Sequence, residues 1–219
     1  MPATVVALSV QTGSGGFALA HRLSEQLGFR YYDWEITSEA AARAGVSPTD
    51  VIAAERVPGF IERVMRRLGA ASAVSMDGTS VFADPSPAVW TNALASLDSD
   101  SYRPVVERVV LELADQGDAL IVGHASQYTL REHEGVLRVL VHGSSEVRSQ
   151  RLAEEQSTDV KRAAELVKQS DKDRKELLKR VYHFNWLDAN MYDLTINTDH
   201  LSIDYAADVV MQAVKDLGS

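Results

Sequence analysis

The segment TVVALSVQTGSGGFALAHRLSEQLG, residues 4–28, gives the clearest indication of the fold. Residues 4–10 form a valine-rich apolar run without alternation, which is typical of a strand buried on both faces of a parallel sheet. A glycine-rich turn follows over 11–16, and apolar residues at helical spacing then predict a helix over 17–27 that ends at Gly28. The stretch therefore predicts a strand, a glycine-rich loop and a helix in succession.

The rest of the chain repeats this alternation of strands and helices. Because strands that alternate with helices build a parallel, doubly wound sheet, we predict a three-layer α/β/α sandwich around a five-stranded parallel sheet. We treat residues 1–219 as a single domain, with a helical insertion over about 46–104 and a lid-like segment over about 151–182. The further strands are predicted over 30–33, 119–122, 136–141 and 193–197, the further helices over 35–44, 48–54, 58–71, 88–97, 102–116, 144–155, 158–182 and 202–217, and a loop over 72–87.

The composition narrows the class of protein. A formal net charge of −9 at pH 7 argues against non-specific binding to nucleic acid or to a membrane surface. The chain has no cysteine, which excludes disulfides and thiolate metal sites. No stretch approaches the roughly 20 apolar residues of a membrane helix, and the first apolar run lacks the features of a signal sequence. We therefore expect a cytoplasmic protein without nucleic-acid or membrane partners.

The glycine-rich loop is a candidate phosphate site. Between a strand and a helix, glycines let the backbone approach a ligand, and N–H groups at the start of the helix point toward an anion. Gly13, Ser14, Gly15 and Gly16 are therefore candidate ligands of nucleotide phosphates. A tight turn that binds nothing remains the alternative.

The loop departs from the P-loop pattern G-x-x-x-x-G-K-[ST] at three positions. With Gly15 as the second glycine, the first glycine position is Val10, the lysine position is Gly16 and the hydroxyl position is Phe17. The lysine normally neutralises charge on the transferred phosphate, and the hydroxyl normally holds Mg²⁺. This loop supplies neither group by itself.

Several stretches resemble, in register, the cytidylate kinase-like family. They are SVQTGSGGFALAHRLSEQLGFRYYDWEI over 9–36, IVGHAS over 121–126 and SDKDRKELLKRVYHFNWLDANMYDLTIN over 170–197. The resemblance covers nearly the whole chain except about 55–100. It implies a P-loop-type fold like that of nucleoside monophosphate kinases, with ATP and Mg²⁺ as cofactors. It also implies transfer of the γ-phosphoryl group of ATP to a nucleoside monophosphate.

The resemblance also assigns roles to individual residues. Arg151 and Arg174 are the expected sources of positive charge for the transition state, and Asp33, after the second strand, would contact the acceptor or the metal. Asp171 would orient Arg174. From its own position after the third predicted strand, on the ligand side, His124 would bond a phosphate or a base. A solvated helix surface is the alternative for the arginines and Asp171, and a helix cap is the alternative for Asp33. We expect no metal held by histidine, because His124 is isolated.

Three cations usual in the family are replaced in this chain. Val10 stands where an arginine precedes the glycines, His124 stands where an arginine follows I-V-G, and Glu155 falls near a lid arginine. Since phosphoryl transfer depends on such cations, a second function stays open: a catalytically degenerate kinase fold that acts as a regulatory or self-associating module. A homodimer through the apolar side of 58–68 would be one form of it.

Two further observations concern neighbouring side chains. Arg148 precedes Arg151 by three residues, so the two share one side of the predicted helix, either toward a phosphate or toward solvent. Trp186 and Tyr192 match aromatic positions of the family, and we expect them to serve packing.

Overall fold

The computed structural model describes residues 3–33, Ile36, Glu39, Arg43 and 99–217. The helices predicted over 48–54, 58–71 and 88–97 and the loop predicted over 72–87 lie outside the described residues, as does most of the helical insertion over 46–104. The same holds for the apolar side of 58–68 and for most of the helix predicted over 35–44. The insertion and the homodimer stay predictions.

A five-stranded parallel sheet forms the centre of the fold, as predicted. Its strand order is β2-β3-β1-β4-β5, so the first strand lies in the middle. In the register of the sheet, Leu8 lies opposite Val122 on one side and Val139 on the other. The strands are β1 (Val5–Val10), β2 (Arg30–Tyr32), β3 (Ala119–Val122), β4 (Val136–His142) and β5 (Leu194–Asn197).

Helices cover both faces of the sheet and complete the three layers. Side chains of α1 and α6 pack against one face, and side chains of α2 pack against the other. The short helix α3 and a 3₁₀ turn over Ala189–Met191 were not predicted from the sequence. None of the helices in the described part is long and apolar enough to span a membrane. The described helices are α1 (Gly16–Leu27), α2 (Ser99–Gln116), α3 (Ser126–Thr129), α4 (Ser145–Glu155), α5 (Val160–Val181) and α6 (Ile203–Asp216).

Strand β1 is buried along its whole length. Val6, Leu8 and Val10 point into the core with α1 and α6, whereas Val5 and Ala7 point into the core with α2. This explains why the sequence shows a continuous apolar run rather than alternation. Burial of one side chain such as Leu8 stabilises the fold by about 2 kcal/mol.

Three helix starts are set by side-chain caps. The side chain of Ser144 accepts a hydrogen bond from the N–H of the third residue after it, Asp159 accepts from Lys161, and Ser202 accepts from Tyr205. These bonds satisfy N–H groups that have no partner within the helix. The serine cap predicted for 144 is confirmed, and the helix predicted from 158 begins at 160 because Asp159 caps it.

Helices α4 and α5 form a hairpin beside the glycine-rich loop. Leu152 and Ala153 of α4 pack against Ala163 and Val167 of α5. The last turn of α5 packs into a second cluster that contains Trp186. The hairpin includes the segment predicted to be lid-like, 151–182, and its motion as a lid stays a prediction.

Candidate functional site

The candidate residues gather at the carboxyl ends of the strands. Strand β1 runs into the glycine-rich loop, β2 leads to Asp33, β3 leads to Gly123 and His124, and β5 leads to Thr198. Because all five strands are parallel, these ends lie at one edge of the sheet. Ligands of open α/β sheets bind in the crevice at that edge.

Two glycines of the loop have conformations that other residues rarely adopt. Gly13 and Gly15 have φ angles of 76° and 74°. A Cβ on Gly13 would overlap the main-chain carbonyl of Arg148, and a Cβ on Gly15 would lie 2.7 Å from Ile203 Cδ1. Glycine is therefore required at 13 by its conformation and by the close approach of α4.

The loop presents main-chain donors that the described protein does not use. The N–H of Ser14 donates to Gln11 O at 3.0 Å. In the part of the chain that the structure describes, the N–H groups of Gly13, Gly15, Gly16 and Phe17 donate to no acceptor. Since such donors at the start of a helix attract anions, they form a candidate phosphate site.

Three arginines hold alternate carbonyl groups of the loop. Arg174 Nη1 donates to Val10 O, Arg148 Nη1 donates to Thr12 O at 3.2 Å, and Arg151 Nη1 donates to Ser14 O at 3.3 Å. Each bond places a positive charge beside the loop and engages one of its carbonyl groups. The α4–α5 hairpin therefore supplies cations to a loop that lacks its own lysine.

Arg148 is the most deeply buried of the three arginines. Its side chain is 3% exposed and forms two hydrogen bonds with the Asp171 carboxylate, at 3.1 and 2.6 Å. Arg148 Nε also donates to Gly143 O at 3.0 Å. Arg148 is therefore not part of a solvated surface. Asp171, expected to orient Arg174, is hydrogen-bonded to Arg148, and its charge also opposes the lowering of the Arg174 pKa by burial.

Arg151 is fixed between the loop and the end of β5. Its Nη1 lies 2.9 Å from the Thr198 hydroxyl, which is itself 2.9 Å from Ser14 O. Partial burial raises the pKa of the neighbouring Glu155 carboxyl, and the charge of Arg151 opposes that shift. Arg151 thus faces the loop, which is the first of the two orientations that the sequence left open.

Arg174 lies in a mixed aromatic and polar surrounding. Its guanidinium sits 4.9 Å from the centre of the Trp186 ring, an arrangement that stabilises a cation. Burial lowers the pKa of Arg174 from its ordinary value, whereas Tyr192, Asp171 and Asp33 raise it. Arginine stays charged at neutral pH under such conditions, so a positive charge is present beside the loop. Trp186 and Tyr192 are both buried, as expected for packing residues.

The structure also brings Asp33 and His124 together. His124 Nε2 lies 3.5 Å from Asp33 Oδ1, at the ends of adjacent strands. His124 and Ala125 both adopt left-handed φ angles, 54° and 52°. Such conformations cost free energy and persist only where the surroundings enforce them. The sequence identified the two side chains separately but did not predict that they meet.

The side chain of Val10 occupies the space that a side chain at position 16 would need. A Cβ on Gly16 would overlap Val10 Cγ1 and would lie 2.7 Å from Val10 Cβ. Val10 is 1% exposed, so it has little room to move. Two of the departures from the P-loop pattern are therefore coupled: with valine at 10, lysine does not fit at 16.

This coupling predicts an unusual stability effect. Gly16→Ala should destabilise the fold by about 2 kcal/mol through overpacking, although helix propensity alone favours alanine by about 1 kcal/mol. In Val10→Gly/Gly16→Ala most of this cost should vanish, because glycine at 10 removes both Cγ1 and Cβ, and this gives a coupling free energy of at least about 1 kcal/mol. Urea unfolding of the wild type, both single variants and the double variant measures it. Additive effects would show that the two side chains do not compete for space.

The described residues do not form a magnesium site of the usual P-loop kind. Phe17, at the hydroxyl position, packs against the core of α1 and α6. The described part of the chain holds no group of three or more carboxylate, histidine or cysteine side chains placed to bind a metal ion. The residues thus fit the phosphates of a nucleotide but not the metal that usually accompanies them.

A comparison with models of known protein families assigns the chain to one of them. The model of the cytidylate kinase-like family matches residues 5–200. The chain belongs to the cytidylate kinase-like family. The three-layer α/β/α fold agrees with this membership.

Individual members of known families are distant. The chain is 23% identical over 111 residues to a cytidylate kinase of Methanococcus aeolicus, a match that covers 50% of this chain and 62% of that protein. It is 24% identical over 120 residues to a cytidylate kinase of Methanopyrus kandleri, covering 51% and 62%. The chain thus spans less than two thirds of these curated relatives. A crystal structure of an uncharacterized protein from Eubacterium ventriosum superposes with a TM-score of 0.65 at 17% identity, covering 96% of this chain and 97% of that one, and shows the shared fold.

Sequence reasoning missed some residues of the site. Thr198 is fully buried and connects Arg151 to the loop. One signal for Thr198 was present, because it directly follows the last predicted strand, where the other candidates lie. The pairing of Arg148 with Asp171 had no such signal, since 23 positions separate them.

Proposed function

We propose that this chain binds a nucleotide through the glycine-rich loop and transfers the γ-phosphoryl group of ATP to a nucleoside monophosphate. The observation that carries the proposal is that the N–H groups of Gly13, Gly15, Gly16 and Phe17 find no acceptor among the described residues. They lie at the start of α1, at the edge of the sheet where such folds bind ligands. Membership of the cytidylate kinase-like family supports the reaction class.

The proposed reaction needs groups that stabilise negative charge. An oxygen of the acceptor phosphate attacks the γ-phosphorus of ATP, the bond to the bridging oxygen breaks, and ADP leaves with that oxygen. Arg174 and Arg151 would stabilise the charge that spreads over the transferred group. Asp33 and His124, 3.5 Å apart, would position the acceptor at the adjacent strand ends. In related reactions a bound metal ion supplies charge neutralisation.

A second candidate function rests on the coupled pair Val10 and Gly16. With no room for a lysine at 16 and with Phe17 at the hydroxyl position, the loop lacks two groups that phosphoryl transfer normally uses. A chain of this kind would bind nucleotide and act as a non-catalytic regulatory module. Such a module would self-associate. We propose a cytoplasmic location for the protein under either function.

A transfer assay separates the two functions. The protein at high concentration is incubated with ATP and Mg²⁺ and with cytidine, uridine, adenosine or guanosine monophosphate, and products are read by mass spectrometry. Because the curated relatives are named cytidylate kinases, cytidine monophosphate is the first acceptor to test. Formation of one nucleoside diphosphate supports the kinase. Nucleotide binding without product from any acceptor would favour the regulatory module.

A further inference from the structure

The hydroxyl of Ser14 is a buried polar group that has no hydrogen-bond partner among the residues that the structure describes. Ser14 is 0% exposed, and its Oγ forms no hydrogen bond within the described chain. The hydroxyl is directed toward the first residue of α1, because a Cβ on Gly16 would lie 3.2 Å from it. A buried hydroxyl without a hydrogen bond costs free energy, so the chain is expected to keep it only where something meets it.

The same place holds the unused main-chain donors. The N–H groups of Gly13, Gly15 and Gly16 find no acceptor in the described part of the chain. They begin a helix of 12 residues, Gly16–Leu27, whose dipole adds positive potential at this end. The hydroxyl and the amides together offer several donors to one anion.

Positive charge at the loop comes from the protein. Arg148 is paired with the Asp171 carboxylate, but the hydrogen bonds of Arg151 and Arg174 go to neutral oxygen atoms of the loop and of Thr198. Two guanidinium charges are therefore directed at the loop. In a partly buried site such charges act more strongly than in water.

The position of the loop that usually binds a divalent metal ion lacks the side chain for it. Phe17 stands where a hydroxyl would bind Mg²⁺, and its ring packs into the core. A divalent ion would add charge where two arginines already act, and the position that usually holds it carries no hydroxyl.

We infer that the loop binds the phosphates of a nucleotide without a divalent metal ion, with the Ser14 hydroxyl as a donor and Arg151 and Arg174 as the counter-charge. This inference rests on the proposed function, since it concerns the same loop. It names what the site takes: a nucleotide polyphosphate whose binding does not depend on a divalent ion.

The test is calorimetric binding of ATP in EDTA and in excess Mg²⁺. We expect the dissociation constants to agree within about threefold, which corresponds to less than 1 kcal/mol. Ser14→Ala should weaken binding at least about tenfold, as for a lost hydrogen bond to a charged group. Its melting temperature should equal or exceed that of the wild type, because the hydroxyl has no partner to lose.

Ser126→Ala is the matched control. Ser126 Oγ is also buried without a hydrogen bond in the described chain, but it belongs to α3. This variant should bind ATP like the wild type. Binding that requires Mg²⁺ would overturn the inference and leave the proposed function intact, whereas no ATP binding under either condition would overturn both. Unchanged affinity in Ser14→Ala would show that the hydroxyl does not bind the phosphates, which would contradict the inference.

Discussion

Replacement of Arg174 by alanine is expected to slow phosphoryl transfer by about 100- to 1,000-fold. The guanidinium donates to Val10 O at the entrance of the glycine-rich loop and stacks on Trp186, so its charge is held in place before the reaction begins. A fixed charge lowers the barrier because it need not reorient as negative charge develops. The measurement is the turnover number with ATP and the best acceptor, at saturating concentrations of both.

Two further variants separate charge from folding. Arg174→Lys keeps a charge but loses the planar group that stacks on Trp186, and it should recover only part of the rate. Lys175→Ala removes an exposed cation from the next position of α5 and should leave the rate unchanged. Circular dichroism at the assay temperature confirms that each variant is folded. A fully active Arg174→Ala enzyme would show that the transferred group does not depend on this charge.

Replacement of Arg148 by methionine is expected to destabilise the protein by about 3 kcal/mol or more. The change removes the paired bonds to Asp171 and the bonds to Thr12 O and Gly143 O, and it leaves a partly buried carboxylate without its partner. The hairpin of α4 and α5 would then lose its polar connection to the loop. Urea unfolding at neutral pH gives the change in the free energy of unfolding.

The double variant Arg148→Met/Asp171→Leu tests the cause of that loss. Because it removes both charges, it should be more stable than Arg148→Met alone. Its nucleotide affinity should nevertheless stay below that of the wild type, since Thr12 O no longer has its donor. If Arg148→Met unfolded at the same urea concentration as the wild type, the ion pair between Arg148 and Asp171 would contribute nothing to the free energy of unfolding.

The fold followed from the sequence because its signals are local. The run over 4–10, the glycines and the helix over 17–27 are adjacent in the chain, and they appear as β1, the loop and α1 with ends shifted by one residue. The short helix α3 was missed because four residues carry too little periodicity to detect.

The site was predictable only in part because its key contacts are long-range. The chain positions of Arg151 and Arg174 indicated phosphate chemistry, but the carbonyl groups they bind lie 137 and 164 positions away. From the sequence, Arg148 could equally face a phosphate or solvent, and only the packing of the folded chain shows that its side chain is 3% exposed. The competition between Val10 and Gly16 was visible in outline, since both depart from one motif, but only the geometry explains why they depart together.

The proposed function depends on binding of nucleotide phosphate by the main-chain N–H groups of the loop. The most direct measurement is a ¹H–¹⁵N spectrum of protein labelled only at its 13 glycines, recorded during titration with ATP. The resonances of Gly13, Gly15 and Gly16 should shift most, while Gly117 and Gly135, which lie near Thr4 at the opposite edge of the sheet, should stay in place. Saturation by ATP with unmoved loop resonances would contradict the account.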